Sequence, residues 1–340
     1  MNQWVLSRQG YLRLAVQRER GRGKMSALKV TLASPRGFCA GVERAIHIVE
    51  NALIKYGAPV YVRHEIVHNR YVVDGLKAKG AVFVDELDSV PEGANVIFSA
   101  HGVAKQVFQD AKNRKLDYID ATWPLVSKVH KGAQKFYRDG CQLILIGHAG
   151  HPEVIGTMGQ LPAGAVVLVE TPDDVDTLDF PADTPLAYVT QTTLSVSDTQ
   201  EIIARLNARF PKIHGPRRSD ICYATSNRQD AVRALADEAD LILVIGAENS
   251  SNSNRLVEVA RQSGCVDAHL IANQSDIDWS WFAGKSSLGL TAGASAPEEL
   301  IQGVIGACEE RFEVEIALLN HVEEDMHFPL PRIVANVDKE

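Results

Sequence analysis

Two cysteines, a set of histidines and one glutamate carry most of the chemistry this chain could do. Cys39 lies in Pro35-Arg-Gly-Phe-Cys-Ala-Gly41, a glycine-flanked turn leading into a helical pattern. Free N–H groups and the helix dipole at such a turn favour a thiolate, so this thiol could react or bind metal. A lone cysteine is otherwise most often a small buried hydrophobe. Cys222, in Ser219-Asp-Ile-Cys-Tyr-Ala-Thr-Ser-Asn-Arg228, also precedes a helical pattern and carries the same pair of readings. Cys141, Cys265 and Cys308 fall on strand-entry or helical positions and read as structural.

His101 follows Ser99-Ala100, and His148 and His151 flank Ala149-Gly150, all in loops that follow strand-like runs. There an imidazole can donate to a phosphate or shuttle a proton. The repeated placement favours function for His101 and His151 and leaves His148 open. Glu153 is a candidate general acid, because a carboxyl in a closed pocket is pushed toward a neutral pKa. Alone, it would read as a solvated helix-start glutamate. His64-Glu-Ile-Val-His68 matches H-E-x-x-H, but the β-branched residues around it predict strand geometry, which would turn the two rings apart and spoil a zinc site. His68, just before a new helix, remains an anion contact.

Glu248-Asn-Ser-Ser-Asn-Ser-Asn254 supplies hydroxyls, amides and backbone N–H groups at a helix start, a neutral cradle for a diphosphate; the plainer reading is a polar loop with an N-cap. Ser295, in Thr291-Ala-Gly-Ala-Ser-Ala-Pro297, and Thr192, in Gln191-Thr-Thr193, could add donors.

Positioning these side chains requires strands that end near them. Apolar runs at Leu28–Ala33, Val60–Val62, Ala81–Val84, Val96–Ser99, Leu143–Ile146, Val166–Val169, Ala187–Val189, Leu241–Ile245 and Ser287–Leu290 alternate with helical periodicity, the signature of α/β folding on parallel sheets. Val42, Ala45, Ile46, Val49 and Leu53 predict one helix after Gly41, and Ala231, Val232, Leu235 and Ala236 another after Asn227. The stretches Val96–Gly102, Leu143–His151 and Leu241–Asn252 share one strand–loop–helix grammar and are read as equivalent edges of three α/β units, with ligands beyond the strand ends. The expected division is an extension over 1–27 outside the fold, α/β domains at 28–122, 123–220 and 221–310 around a shared cleft, and a tail at 311–340.

The formal charge of −8 over 340 residues excludes a general nucleic-acid surface, so a bound anion must be met by local donors. No apolar run approaches the ~20 residues of a membrane span. Five widely spaced cysteines without C-x-x-C suit a reducing, cytoplasmic setting rather than a disulfide framework. Residues 1–24 carry Arg8, Arg13, Arg18, Arg20 and Arg22 against Glu19; a presequence is one reading, and an extension ahead of a start at Met25 is the favoured one.

Taken in order, Arg36-Gly-Phe-Cys-Ala-Gly41, Val67-His-Asn-Arg-Tyr-Val-Val73, Ser99-Ala-His-Gly102, Gly147-His-Ala-Gly-His-Pro-Glu153, Asp220-Ile-Cys-Tyr-Ala-Thr225 and Asn249-Ser-Ser-Asn-Ser-Asn254 closely resemble the LytB/IspH family, the 4-hydroxy-3-methylbut-2-enyl diphosphate reductases of the non-mevalonate isoprenoid pathway. The resemblance covers roughly Leu28 to Phe328. It implies three α/β domains in a pseudo-threefold trefoil around a 4Fe–4S cluster held by three cysteines. It also implies removal of the substrate hydroxyl as water, with two electrons and protons, to give isopentenyl and dimethylallyl diphosphates. By matching position, Cys39 and Cys222 would be cluster ligands, His68, His101, His151, Thr192, Ser250, Ser251, Asn252 and Ser295 would hold the substrate, and Glu153 would supply a proton beside Thr192 and His151. The implied partners are a small allylic diphosphate and a ferredoxin- or flavodoxin-type electron donor, with neither nucleic acid nor membrane.

One position departs from the pattern. In Asp120-Ala-Thr-Trp-Pro-Leu-Val126 the family's second cluster cysteine is replaced by Trp123. An indole has a donor and no lone pair for a metal, and its bulk is expected to crowd a cluster edge. Three readings follow: a reductase whose cluster is absent or incomplete, a diphosphate-binding module without redox chemistry, or a one-base variant of a normal enzyme.

Overall fold

The computed structural model describes residues 25–181 and 183–335; residues 1–24 of the expected 1–27 extension and the last five residues lie outside them, and Ala27 of that extension belongs to the first strand. Strands occupy Ala27–Ser34 (β1), Val60–Arg63 (β2), Ala81–Val84 (β3), Asn95–Phe98 (β4), Asp117–Asp120 (β5), Gln142–Ile146 (β6), Val166–Val169 (β7), Leu186–Thr190 (β8), Leu241–Ile245 (β9), Ala268–Ile271 (β10), Ser287–Ala292 (β11) and Glu313–Asn320 (β12). Helices occupy Ala40–Tyr56 (α1), Arg70–Ala78 (α2), Lys105–Asn113 (α3), Pro124–Arg138 (α4), Pro152–Met158 (α5), Pro172–Thr177 (α6), Val196–Arg209 (α7), Tyr223–Ala236 (α8), Ser251–Gln262 (α9), Glu298–Glu309 (α10) and Arg332–Ala335 (α11).

The strands form three sheets ordered β10-β9-β11-β1-β12, β3-β2-β4-β5 and β7-β6-β8, and every ladder between these strands is parallel. The expected α/β class with parallel sheets is therefore present, and β4, β6 and β9, which carry the shared strand–loop–helix grammar, each sit in a different sheet. Packing divides the chain into two compact units: the segment ending at Cys39 with Tyr223–Asp325, and Ala40–Cys222 with the segment beginning at Met326.

In the first unit, β1 lies between β11 and β12. Segment 28–34 at the head of the expected first domain and segment 313–320 of the expected tail thus pair with each other, from Ala27 opposite Glu313 to Ser34 opposite Asn320. Alternation along β9 shows why this sheet is buried on both faces. Leu241, Leu243 and Ile245 pack with Ile301, Val304 and Cys308 of α10. Ile242 and Val244 pack with Val232 and Leu235 of α8 and with Leu256 and Ala260 of α9. Each fully buried side chain of this kind contributes about 1.5–3 kcal/mol. Cys265 and Cys308 are members of these cores and Cys141 of the core around β6, as their sequence positions predict.

The second unit holds the other two sheets. Gly156 of α5 lies against the Gly102 carbonyl, where a side chain would meet the oxygen at 3.0 Å. Lys105 N–H donates to the Gly159 carbonyl at 3.0 Å, and Gln160 Nε2 to the Val103 carbonyl at 2.7 Å. These contacts fix the loop after β4 to the helix after β6.

Candidate functional site

The strand-end histidines of the second unit come together. His68 stands just ahead of α2, whose N-cap Asn69 accepts from Val72 N–H. His101 follows β4 at a turn that Gly102 makes at φ +81. His151 N-caps α5 after Gly150 turns the loop at φ +78. The His68 and His101 rings stack with centroids 4.1 Å apart, and His151 meets them edge-on at 5.5 and 5.9 Å. Burial, then the neighbouring imidazoles, hold His101 well below the ordinary range, and the same causes push His151 down to about 3. Both rings are therefore neutral at physiological pH. His151 Nδ1 accepts the Glu153 N–H at 3.2 Å, which leaves the ring proton on Nε2 as a donor.

His64 does not join them by strand or helix. The expected strand stops at Arg63, and residues 64–69 form a loop because His64 adopts φ 61, a left-handed conformation that breaks the extended run. The H-E-x-x-H match is thus neither the helix a zinc protease needs nor the strand its composition predicts.

Beside the imidazoles is a buried acid. Glu153 is 2% exposed, and its two oxygens accept from Thr192 N–H at 2.7 Å and Thr192 Oγ1–H at 2.9 Å. Burial raises its pKa to about 7 against the opposing pull of the Thr192 hydrogen bonds, with Asp220 adding to the rise. Thr192 follows β8, and its carbonyl accepts from Cys222 N–H at 3.0 Å, so the buried Cys222 is tied by backbone to the residue that holds the acid. Two residues that sequence reasoning passed over complete this frame. Lys128 Nζ donates to the buried Asp220 at 3.1 Å and to the Ser219 carbonyl at 3.0 Å, and Gln191 accepts from His148 N–H at 3.0 Å.

Trp123 also lies in this unit. Its N–H donates to the Ala100 carbonyl and its carbonyl accepts from Ser127, both at 2.9 Å, which fixes the residue between the β4 loop and α4. The indole rests on Gly41 of α1: a Cβ there would stand 2.5 Å from Cε2 and Nε1 and 2.9 Å from Cδ1. Nε1 is buried without a hydrogen-bond partner.

The first unit carries the remaining candidates. Ser250 N-caps α9, accepting from Ser253 N–H at 3.3 Å and Ser253 Oγ–H at 3.0 Å. The Ser253 hydroxyl is pressed between Gly246 and Gly293, either of which would strike it if it carried a side chain. Asn252 is 5% exposed, and neither its Nδ2 nor its Oδ1 has a hydrogen-bond partner. Two orphaned polar atoms cost about 1–3 kcal/mol each unless a ligand meets them. Ser251 opens α9, and Ser295 is buried in the loop after β11. Cys39 is buried, with its N–H donating to the Ala294 carbonyl at 3.3 Å.

A residue with no obvious sequence signal holds that turn. Arg228 is fully buried; it donates to the carbonyls of Gly37 at 2.8 Å, Phe38 at 3.3 Å and Ala224 at 2.9 Å and pairs with Glu324 at 3.1 Å. It therefore secures the turn before Cys39 and the first turn of α8. An arginine in a helical pattern reads as solvated face, and only partners distant in sequence show otherwise.

Parallel α/β sheets whose strand ends gather neutral imidazoles and a buried, near-neutral acid define an enzyme that binds a small anionic ligand. The comparisons give that class a family. The family model for LytB protein matches residues 30–309. The chain is 59% identical over 308 residues to the 4-hydroxy-3-methylbut-2-enyl diphosphate reductase of Hyphomonas neptunium, covering 91% of this chain and 98% of that one. It is 56% identical over 306 residues to the reductase of the same name from Beijerinckia indica, covering 90% and 96%. Among solved structures it superimposes on the E-1-hydroxy-2-methyl-but-2-enyl-4-diphosphate reductase of Plasmodium falciparum with a TM-score of 0.86 and 38% identity, over 91% of this chain and 97% of that one. The chain belongs to the LytB family.

The donor set does not fit the cluster implied for that family. Cys39 and Cys222 are the thiols that the resemblance would place on such a cluster, and where it would call for a third, Trp123 offers an indole with no lone pair to give, seated against Gly41. Among the described residues, no three His, Cys, Asp or Glu side chains are grouped to hold a metal ion.

Proposed function

We propose that this chain serves the reaction for which its relatives are named, the reductive dehydroxylation of 4-hydroxy-3-methylbut-2-enyl diphosphate, with the substrate-holding half complete and the electron-delivering half short of one ligand. Substrate binding is then retained, and turnover falls far below that of a relative with three cluster cysteines. A ferredoxin- or flavodoxin-type protein would be the electron source. Among the described residues no helix is long and apolar enough to cross a membrane, which suits a small water-soluble substrate.

The observation that carries this reading is Glu153, buried, held by Thr192 and next to His151 in the imidazole cluster. Loss of a hydroxyl requires a proton on the leaving oxygen. A carboxyl near pKa 7 is the group that can hold that proton at neutral pH and release it. Thr192 would orient the acid and His151 would supply a second N–H. His68 and His101 would donate to the diphosphate, as would Ser250, Ser251, Asn252 and Ser295. The unpartnered Asn252 amide supports this, because a bound phosphate oxygen would satisfy its donor. Where bound, an iron–sulfur cluster supplies electrons.

Trp123 favours a second reading, a diphosphate-binding protein without redox chemistry. Anaerobic assay with a strong one-electron reductant separates the two. Release of isopentenyl and dimethylallyl diphosphates by Trp123→Cys, at least about a hundredfold above any release by the wild-type chain, supports the reductase; that exceeds the 10–100-fold typical of an outer-shell partner. Calorimetric binding of the substrate with no product from either chain would establish the second reading.

A further inference from the structure

A missing thiolate and a blocked position are different defects, and the structure speaks to which one this chain has. The main chain of Trp123 is bonded on both sides, to Ala100 and Ser127. Pro124 follows it, which restricts Trp123 to the extended conformation it adopts, φ −62 and ψ 139. The backbone therefore has little freedom to withdraw the ring. The ring in turn occupies the space a side chain on Gly41 would need, with three of its atoms inside 3 Å of that point. Its Nε1–H has no acceptor, so packing holds the indole in this seat rather than hydrogen bonding.

We propose that Trp123 is a plug seated on Gly41, and that the bulk of the indole, in addition to the lost thiolate, closes the third ligand position to iron. This rests on the reductase reading of the site but goes beyond it. A position that lacked only its ligand could borrow a small thiol from solution, whereas a plugged one cannot admit it. Removing the ring without replacing the sulfur would then convert the second kind of defect into the first.

The test compares wild type, Trp123→Ala and Trp123→Cys, each full length and purified anaerobically. Each is supplied with ferrous and ferric iron and sulfide, with and without 2-mercaptoethanol. Iron and sulfide are counted after desalting, and the visible thiolate-to-iron absorption is recorded. Trp123→Cys should load about four irons per chain unaided. Trp123→Ala should load only when 2-mercaptoethanol is present, and wild type should not load in either condition. A wild type that loads, with or without the thiol, overturns the proposal. So does a Trp123→Ala variant that stays empty with the thiol while Trp123→Cys fills, because the absent sulfur alone would then be decisive. An empty Trp123→Cys chain also overturns it, since removing the plug and restoring the sulfur would have gained nothing. Thermal shift by isopentenyl diphosphate, run on all three chains, reports separately on the diphosphate site. Its loss in wild type would count against the functional reading, and its presence in both variants shows that they have folded.

Discussion

Glu153 sits in an environment far from that of an ordinary surface carboxyl and titrates near neutrality. Its folded-state pKa of about 7 lies above the unfolded value of 4.5, and burial is the main cause. Below about pH 4.5 both states are protonated and the site costs nothing. As pH rises from there to about 7, the unfolded chain releases its proton while the folded chain keeps it, so stability falls; above about 7 the loss is complete. Glu153→Gln removes this titration. Urea melts should therefore show the variant gaining on wild type across that window, by up to about 3 kcal/mol, over a constant offset from the altered bonds to Thr192. A difference that does not change between pH 4 and 8 would mean that the acid titrates normally and is not the proton store inferred for the reaction.

At the scale of elements, the contact between α1 and the start of α4 depends on one absent side chain. Gly41→Ala should destabilise the wild-type chain by about 1–3 kcal/mol, because the new methyl meets the indole and neither backbone can retreat. In the Trp123→Cys background the same change should fall within about 1 kcal/mol of neutral, helped by the better helix propensity of alanine. A double-mutant cycle in chemical denaturation checks this, and additive effects would mean that the ring is not seated there. None of this pairing is legible in sequence, since Gly41 and Trp123 become neighbours only through the fold. What was legible had local causes. The histidines stand out because each follows an apolar run, and β3, β7 and β9 have the bounds their Val-, Ile- and Leu-rich segments predict. The strands that escaped notice carry polar ends or an edge-strand pattern: Asp117-Tyr-Ile-Asp120, Ala268-His-Leu-Ile271, and Glu313-Val-Glu-Ile at the start of β12. Long-range pairing decides those segments, and local apolar content does not.

At the scale of the whole molecule, the five-stranded sheet draws on both ends of the described chain. β1 is paired along its full length with β12 on one side and over Lys29–Leu32 with β11 on the other. A chain ending at Phe312 would leave β1 with an open row of N–H and C=O groups flanked by apolar side chains, a template for pairing with other molecules. Expression of that truncation should yield aggregate, checked by sedimentation against the full-length chain. A soluble monomer with an unchanged melting temperature would show that β12 is dispensable.

The same arrangement bears on the order of events in the cell. β1 is translated early, but its neighbours β11 and β12 come last, while Ala40–Cys222 is one unbroken run that contains every strand of its two sheets. On the ribosome that run can complete its sheets first. Leu28, Val30 and Leu32 meanwhile wait uncovered, and the length of that wait is fixed by how fast the rest of the message is read. Codon choice between β2 and β11 thus becomes a determinant of yield for a strand that lies entirely upstream of it.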